Sequence, residues 1–483
     1  VHAESGGGSG PVAAIGGGRV SGKGENIQIT GGNVTLKTVD GDDIYIGNGQ
    51  QEAEIDTSKL LGTITKLNRY DEQVGDKIVQ DFGIEVSEQP VTSENYKNLW
   101  RGYIVYDPEY KTLTAKDRIP QGVVKIRAPK TDVFLNGGMQ RGTLTIGQVG
   151  NKTDVGAHDV TVKHDQYAAV YGDVNINCTG KVDIRSDKSM AVNGNLNIYD
   201  SSEVTLSAGS SVVTGSANIT SNGNVAIYST VGRAAENLTI NNAENVTISI
   251  RDSDRAISGD TKITASGTVI LKNNAQGGRV GAVAFKQAGG KNYVYYTSEE
   301  PDAKLIDPRI HPLAEAAESS YLRIEPRETY SITVANGTAQ VGDDTTGLNT
   351  AFAGEKVTVR ADKLPAGVAE GTEFYGWEVA KDSTAFTPTE GKLGSKEEAG
   401  TEEISFEMPK GNVKLTACWS ASSLDPNQRI DPNEPLDEDF GVEPAPMDTT
   451  GGAIAAVAVG GAAIWGGYEI ATRVILHSLL PEG

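Results

Sequence analysis

Four aspartates stand close together in the middle of this chain: Asp173, Asp183, Asp187 and Asp200. Two or three carboxylates on neighbouring strands, with an Arg or Lys beside them, can bind a metal ion or supply the acid and base that cleave a glycosidic bond. The set does not persist along the chain. At the equivalent outward positions the following repeats carry Thr205, Ala226, Thr247 and Ile270, so no column of carboxylates forms. Asp42 and Asp43 are adjacent, and a strand would send them to opposite faces, which suits a turn better than a catalytic pair. Of the five histidines, His158 and His164 flank one strand-like stretch while His2, His311 and His477 are scattered, so no metal-ligand cluster is signalled. Calcium is the one cofactor the acids could take, at the turns Asp40-Gly41-Asp42-Asp43 and Asp252-Ser253-Asp254, whose spacing matches no standard calcium loop.

Aromatic side chains suggest binding rather than catalysis. Tyr171, Tyr199 and Tyr228 each follow an inward apolar residue by one position and so point outward, where an exposed ring can stack on a sugar. They fall on different strands, so one flat platform does not follow. Trp100, in the stretch 50–118, and Trp377 are further candidates, Trp377 being equally suited to the core of a small domain.

These side chains are positioned by a repeat. Between Ala169 and Lys272 the chain repeats about every 22 residues, with three short apolar beats per unit parted by Gly, Asn, Asp or Ser. The first beat falls on Val170, Val192, Val213, Ala235 and Ile257, the second on pairs such as Val174/Ile176 and Leu196/Ile198, the third on pairs such as Val182/Ile184 and Val204/Leu206. A period of two sends both apolar residues of a V-x-I pair to one face and the residue between them to the other. One strand cannot bury such a face alone, but stacked coils bury it in continuous columns, so the sequence predicts an all-β, right-handed parallel β-helix with three strands per rung. Asn175, Asn197, Asn218, Thr239 and Lys262 then form an outward polar ladder. The same grammar continues less regularly upstream, through Val124/Ile126, Val133/Leu135, Leu144/Ile146 and Val160/Val162, and again in Ile27/Ile29, Val34/Leu36 and Ile44/Ile46.

Composition bounds the partners. Lys plus Arg total 43 against 64 Asp plus Glu, a formal charge of −21, so a nucleic acid would be repelled. The 58 glycines and an apolar share of only 37% suit a coil that is largely corner and outer face. The two cysteines, Cys178 and Cys418, sit in separate parts of the chain and outside any C-x-x-C motif, so neither a disulfide nor a zinc site is expected. The chain does not begin with Met and shows no signal peptide at its start, which reads as a mature or truncated form.

Five segments emerge. Residues 1–327 form the β-helix, interrupted at about 50–118 by a charged, aromatic excursion, the kind of insertion that builds a binding face on a solenoid. Residues 328–420 alternate strands with Gly, Pro and Asn, a small all-β module. Residues 421–450 are an acidic, Pro-rich linker that cannot bury enough surface to fold. Residues 451–468 are uncharged and rich in Gly and Ala, just long enough for membrane contact. In 469–483, Glu469, Arg473 and His477 fall on one face of an amphipathic helix, with Ile470, Val474, Ile475 and Leu479 on others.

Three resemblances add expectations. The module at 328–420 resembles the divergent internalin-B-type repeats of bacterial surface proteins, through Tyr330, Val334, Asn336 and Gly337, residues 354–361, Phe374, Gly376 and Trp377, and Phe406, Met408, Pro409, Asn412, Val413, Ala417 and Trp419. Such modules imply a spacer or adhesive repeat and bring no catalytic residues. The coil, through residues 11–38 and 320–326, resembles the carbohydrate-binding right-handed β-helix domains of clostridial surface proteins, which implies recognition of polysaccharide rather than its cleavage. Residues 469–483 resemble the start of a surface-layer homology module, which implies a non-covalent anchor to a cell-wall polymer through sequence beyond Gly483; no L-P-x-T-G sorting signal is present.

Together these features point to a secreted, non-catalytic adhesin or carbohydrate-binding protein of a Gram-positive cell surface or cell wall. Its partners would be an extracellular polysaccharide or host glycan. The alternatives are a polysaccharide lyase or glycoside hydrolase on the same scaffold, although the residue motifs that mark such enzymes are absent as a set, and a passive surface stalk.

Overall fold

A computed structural model describes residues 2–4, 13–16, 27–39, 44–47, 53–148, 156–251, 255–301, 303–342, 348–362, 372–395 and 398–419. The linker, the apolar stretch and the amphipathic helix expected at 421–483 lie outside the described residues, as do the acidic turns at 40–43 and 252–254. The chain divides into two compact units, Val1–Arg327 and Glu328–Gly483. The described residues are strands and turns, with one short 3-10 helix at Leu313–Glu318.

The main part of the first unit is a parallel β-solenoid of about eight turns with three faces. One face belongs to an eleven-stranded sheet whose parallel strands run from Thr112–Ala115 to Val269–Asn273. The second belongs to a ten-stranded sheet whose parallel strands run from Gly122–Arg127 to Ala284–Gln287. The third is made of one- and two-residue pairings, among them Val170–Tyr171 with Val192–Asn193 and bridges such as Val192 to Val213.

The columns inferred from the apolar beats are present. Val160, Val182, Val204, Val225, Val246 and Val269 stand in register on the eleven-stranded sheet. Beside them run Val162, Ile184, Leu206, Ile227, Ile248 and Leu271. All of these are at most 1% exposed, so nearly all of their apolar area is withdrawn from water. Between the buried positions of the ten-stranded sheet, the Asn197 side chain donates to Asn175 Oδ1 and Asn218 donates to Asn197 Oδ1, both at 3.0 Å. Each amide thus satisfies its neighbour one rung away, as a regular stack of identical side chains allows.

Where the third face turns into the ten-stranded sheet, glycines stack. A Cβ on Gly142 would lie 1.8 Å from the carbonyl oxygen of Gly122, and one on Gly172 would lie 1.8 Å from that of Gly142. Their φ angles of 130° and 138° are closed to other residues.

Reversed strands cover the first turn on both large sheets and the last turn on the eleven-stranded sheet, while the ten-stranded sheet ends in the parallel strand Ala284–Gln287. The segment at 50–118 is divided between three structures. Ile55–Asp56 and Ile64–Leu67 pair in parallel with Ile27–Gln28 and Val34–Lys37, inside a smaller three-faced coil with its own core of Val34, Leu36, Ile46, Leu60 and Ile64. Asp81–Val86 pairs antiparallel with Gly122–Arg127, and Val105–Asp107 antiparallel with Thr112–Ala115. Thr112–Ala115 is itself the first parallel strand of the main coil. At the other end Tyr321–Arg327 runs antiparallel to both Val269–Asn273 and Asn292–Tyr296.

The described part of the second unit has two four-stranded sheets around a core that includes Trp377, Phe406, Val357, Val359 and Leu415. Thr329–Ala335 pairs in parallel with Val413–Cys418, while the remaining pairings are antiparallel.

Candidate functional site

Tyr171, Tyr199 and Tyr228 lie on three different faces and make no common platform. Tyr199 is half-buried on the ten-stranded sheet, Tyr228 is 44% exposed on the eleven-stranded sheet, and Tyr171 lies on the third face. Trp377 is no platform either. It is 2% exposed, its Nε1 donates to the Thr401 carbonyl at 3.0 Å, and Phe374 meets it edge-on at 5.6 Å. A small sheet module has few large side chains to fill its centre, and Trp377 does so.

Trp100 is held at the covered end of the coil. Its ring occupies the space over Gly122, where a Cβ would come within 2.7 Å of it, and its Nε1 donates to the Val123 carbonyl at 3.2 Å. The backbone turns through positive φ at Trp100, Arg101 and Gly102 to place it there. Such strain persists only where surrounding contacts fix it. Trp100 therefore closes the glycine stack, and Trp100→Ala should lower unfolding stability by about 2–3 kcal/mol, read from denaturant midpoints. An unchanged midpoint would leave it as a surface ring.

The outward carboxylates are separated. Asp183 has Thr161 and Thr205 as its neighbours on the adjoining rungs. Burial raises its pKa, against the pull of Arg185 and Lys163. A groove of about 380 Å³ on the ten-stranded sheet is lined by Glu85, Glu88, Lys125, Arg127, Thr145 and Gln148. Lys125 pairs with Glu88 at 2.6 Å and Arg127 with Glu85 at 3.8 Å. The hydrogen bond and charge of Lys125 hold the Glu88 carboxyl below its usual range, the reverse of what a general acid needs.

Asp132, His158 and Asp159 bring ligand-type atoms within 4.8 Å of one another. Hydrogen bonds account for the arrangement. His158 Nδ1 donates to Asp132 Oδ1 at 2.9 Å, the Asp159 amide donates to the same oxygen, and the Lys181 amide donates to Asp159 Oδ1. The bond to Asp132 raises the pKa of His158.

Cys178 is 1% exposed and burial pushes its thiol up to about 12, so it stays protonated and unreactive in the folded chain. A thiol reagent at neutral or mildly alkaline pH should label Cys178 only after denaturant unfolds the coil; rapid native labelling would contradict this burial.

The most distinctive polar group is Arg118, at a corner between the eleven-stranded sheet and the third face. The next rung turns this corner with Gly137 and Gly138, which carry no side chains. Across that gap the guanidinium carbon of Arg118 sits 4.7 Å from the ring centre of Tyr167 and 5.6 Å from that of Tyr171. Its Nε and Nη2 are buried and have no hydrogen-bond partner. Tyr167 is 55% exposed and meets His164 edge-on at 5.2 Å. His164 Nδ1 accepts the backbone N–H groups of Gln166 and Tyr167, which assigns the ring proton to Nε2. Burial, and then the charge of Arg118, lower the pKa of His164, consistent with a neutral ring. One exposed aromatic face and donors from arginine, histidine and tyrosine thus share one corner.

Of this group, sequence spacing pointed only to Tyr171. Arg118 and Tyr167 come together because rungs stack, and neither belongs to the regular beats. Comparison of the chain with protein-family models, with curated proteins and with solved structures finds no match in any of the three.

Proposed function

We propose that this is a non-catalytic carbohydrate-binding protein of the bacterial cell surface, an adhesin that presents the side of a β-solenoid to extracellular glycan. The observation that carries this is the Arg118, His164, Tyr167 and Tyr171 corner, with Tyr167 55% exposed beside unpaired guanidinium N–H groups. Aromatic faces bind the apolar side of a sugar ring, and flanking donors fix its hydroxyls. The resemblances to internalin-type repeats, clostridial carbohydrate-binding coils and surface-layer homology modules support the same location and the same use.

A glycan array probed with the whole chain tests it. Binding that falls when Tyr167 and Tyr171 are both replaced by Ala supports the corner as the site; binding that survives the double change moves the site elsewhere. Deleting 50–118 is a poorer test, because it removes the reversed strands and Thr112–Ala115 of the first rung. The raised pKa of Asp183 is the observation that favours a lyase or hydrolase instead. New reducing ends or unsaturated products from a polysaccharide, lost in Asp183→Asn, would establish that alternative.

A further inference from the structure

We infer that the Arg118 corner recognises a carboxylate-bearing sugar, such as a uronic acid, rather than a neutral one; this rests on the glycan-binding proposal and names its ligand class. The chain as a whole carries a formal charge of −21, so a site for an acidic ligand needs a cation that no carboxylate of the protein has already neutralised. Arg118 meets that need. Among the described residues it makes no ion pair, its guanidinium donates to no acceptor, and its contacts are with the rings of Tyr167 and Tyr171.

A buried guanidinium N–H without an acceptor is costly, and a neutral hydroxyl repays less of that cost than an anionic oxygen does. A planar carboxylate matches the guanidinium fork in a way that a point charge or a single hydroxyl does not. Tyr167 lies beside the fork, in a bend at residues 165–167, with its ring centre 4.7 Å from the guanidinium carbon. On this proposal the ligand carboxylate reaches the donors past the exposed Tyr167 side chain, whose phenol ring then lies against the sugar. His164, edge-on to Tyr167, accepts two backbone N–H groups at Nδ1 and so keeps a neutral Nε2–H donor on the same bend.

The test uses the full chain and three soluble probes: hyaluronan oligosaccharides, the same oligosaccharides with their carboxyl groups methyl-esterified, and chitin oligosaccharides, which share the N-acetylglucosamine but lack the acid. Titration calorimetry should show the acid form binding about tenfold or more tighter than its ester. Arg118→Gln should level the two, Arg118→Lys should restore only part of the preference, and Tyr167→Ala should weaken acid and ester alike. Thermal melts of each variant check that the coil is folded. Should Arg118→Gln fail to fold, the acid-to-ester ratio of the wild-type chain and its decline with added salt still decide. Equal binding of acid and ester, or a preference that persists in a folded Arg118→Gln, overturns the inference while leaving glycan binding intact. Absence of binding to all three probes overturns the inference too, and the glycan array then judges the broader proposal separately.

Discussion

Leu206→Asp should abolish the folded solenoid. Leu206 is fully buried in the centre of its column, in register with Ile184 below and Ile227 above. A carboxylate there has apolar neighbours on both rungs, and an unpaired buried charge is among the few single changes that exceed about 4–5 kcal/mol. That is comparable with the whole stability of many domains, roughly 5–15 kcal/mol. Far-ultraviolet circular dichroism and urea unfolding should show the β signal lost or its midpoint collapsed. Leu206→Ala, which leaves a cavity of one side chain, should cost about 2–5 kcal/mol and keep the fold. A Leu206→Asp chain that melts like wild type would mean that the column is not the core.

Gly142→Ala should rank second. The added Cβ meets the Gly122 carbonyl oxygen at 1.8 Å, and that atom belongs to backbone fixed by its own rung. Relief requires one turn to move off the next, and the φ of 130° adds strain of its own. Overpacking and the unfavourable dihedral together should lower stability by about 3 kcal/mol or more. Gly290→Ala is the matched control. Its φ of 73° is also positive but nothing lies within 4 Å of the added carbon, so only the dihedral penalty of about 1–2 kcal/mol should appear. Equal losses in the two variants would show that the stacked contact contributes nothing.

Much of the fold was legible because a solenoid writes its cross-section into the sequence once per turn. Val182, Val204, Val225 and Val246 recur at nearly constant spacing, and constant spacing in sequence is vertical alignment in space. The Asn175, Asn197 and Asn218 ladder follows from the same alternation. Elements that occur once leave no such trace. The reversed strand Asp81–Val86 has apolar residues like any other strand, and the positive φ of Ser87 and Glu88 turns the chain into the hairpin that follows it, which no repeat announces. The candidate site was the least legible part. Tyr171 was visible as an outward ring, but Arg118 reaches it over a corner emptied by Gly137 and Gly138, so the pairing depends on what an intervening rung lacks. Trp377 shows the converse: a tryptophan in a short strand reads equally as a sugar platform and as a core filler, and burial decides.

A parallel stack has no intrinsic last layer, since every completed turn offers the next one the same row of amide and carbonyl groups. The reversed strands at both ends of the eleven-stranded sheet change that pattern, and Pro90 removes a donor from the outermost strand beside the first turn of the other sheet. A second molecule approaching those ends finds a mismatched template. At the far end of the ten-stranded sheet the last strand, Ala284–Gln287, keeps the parallel direction, so of the two large sheets it is the eleven-stranded one whose repeating template is altered at each end.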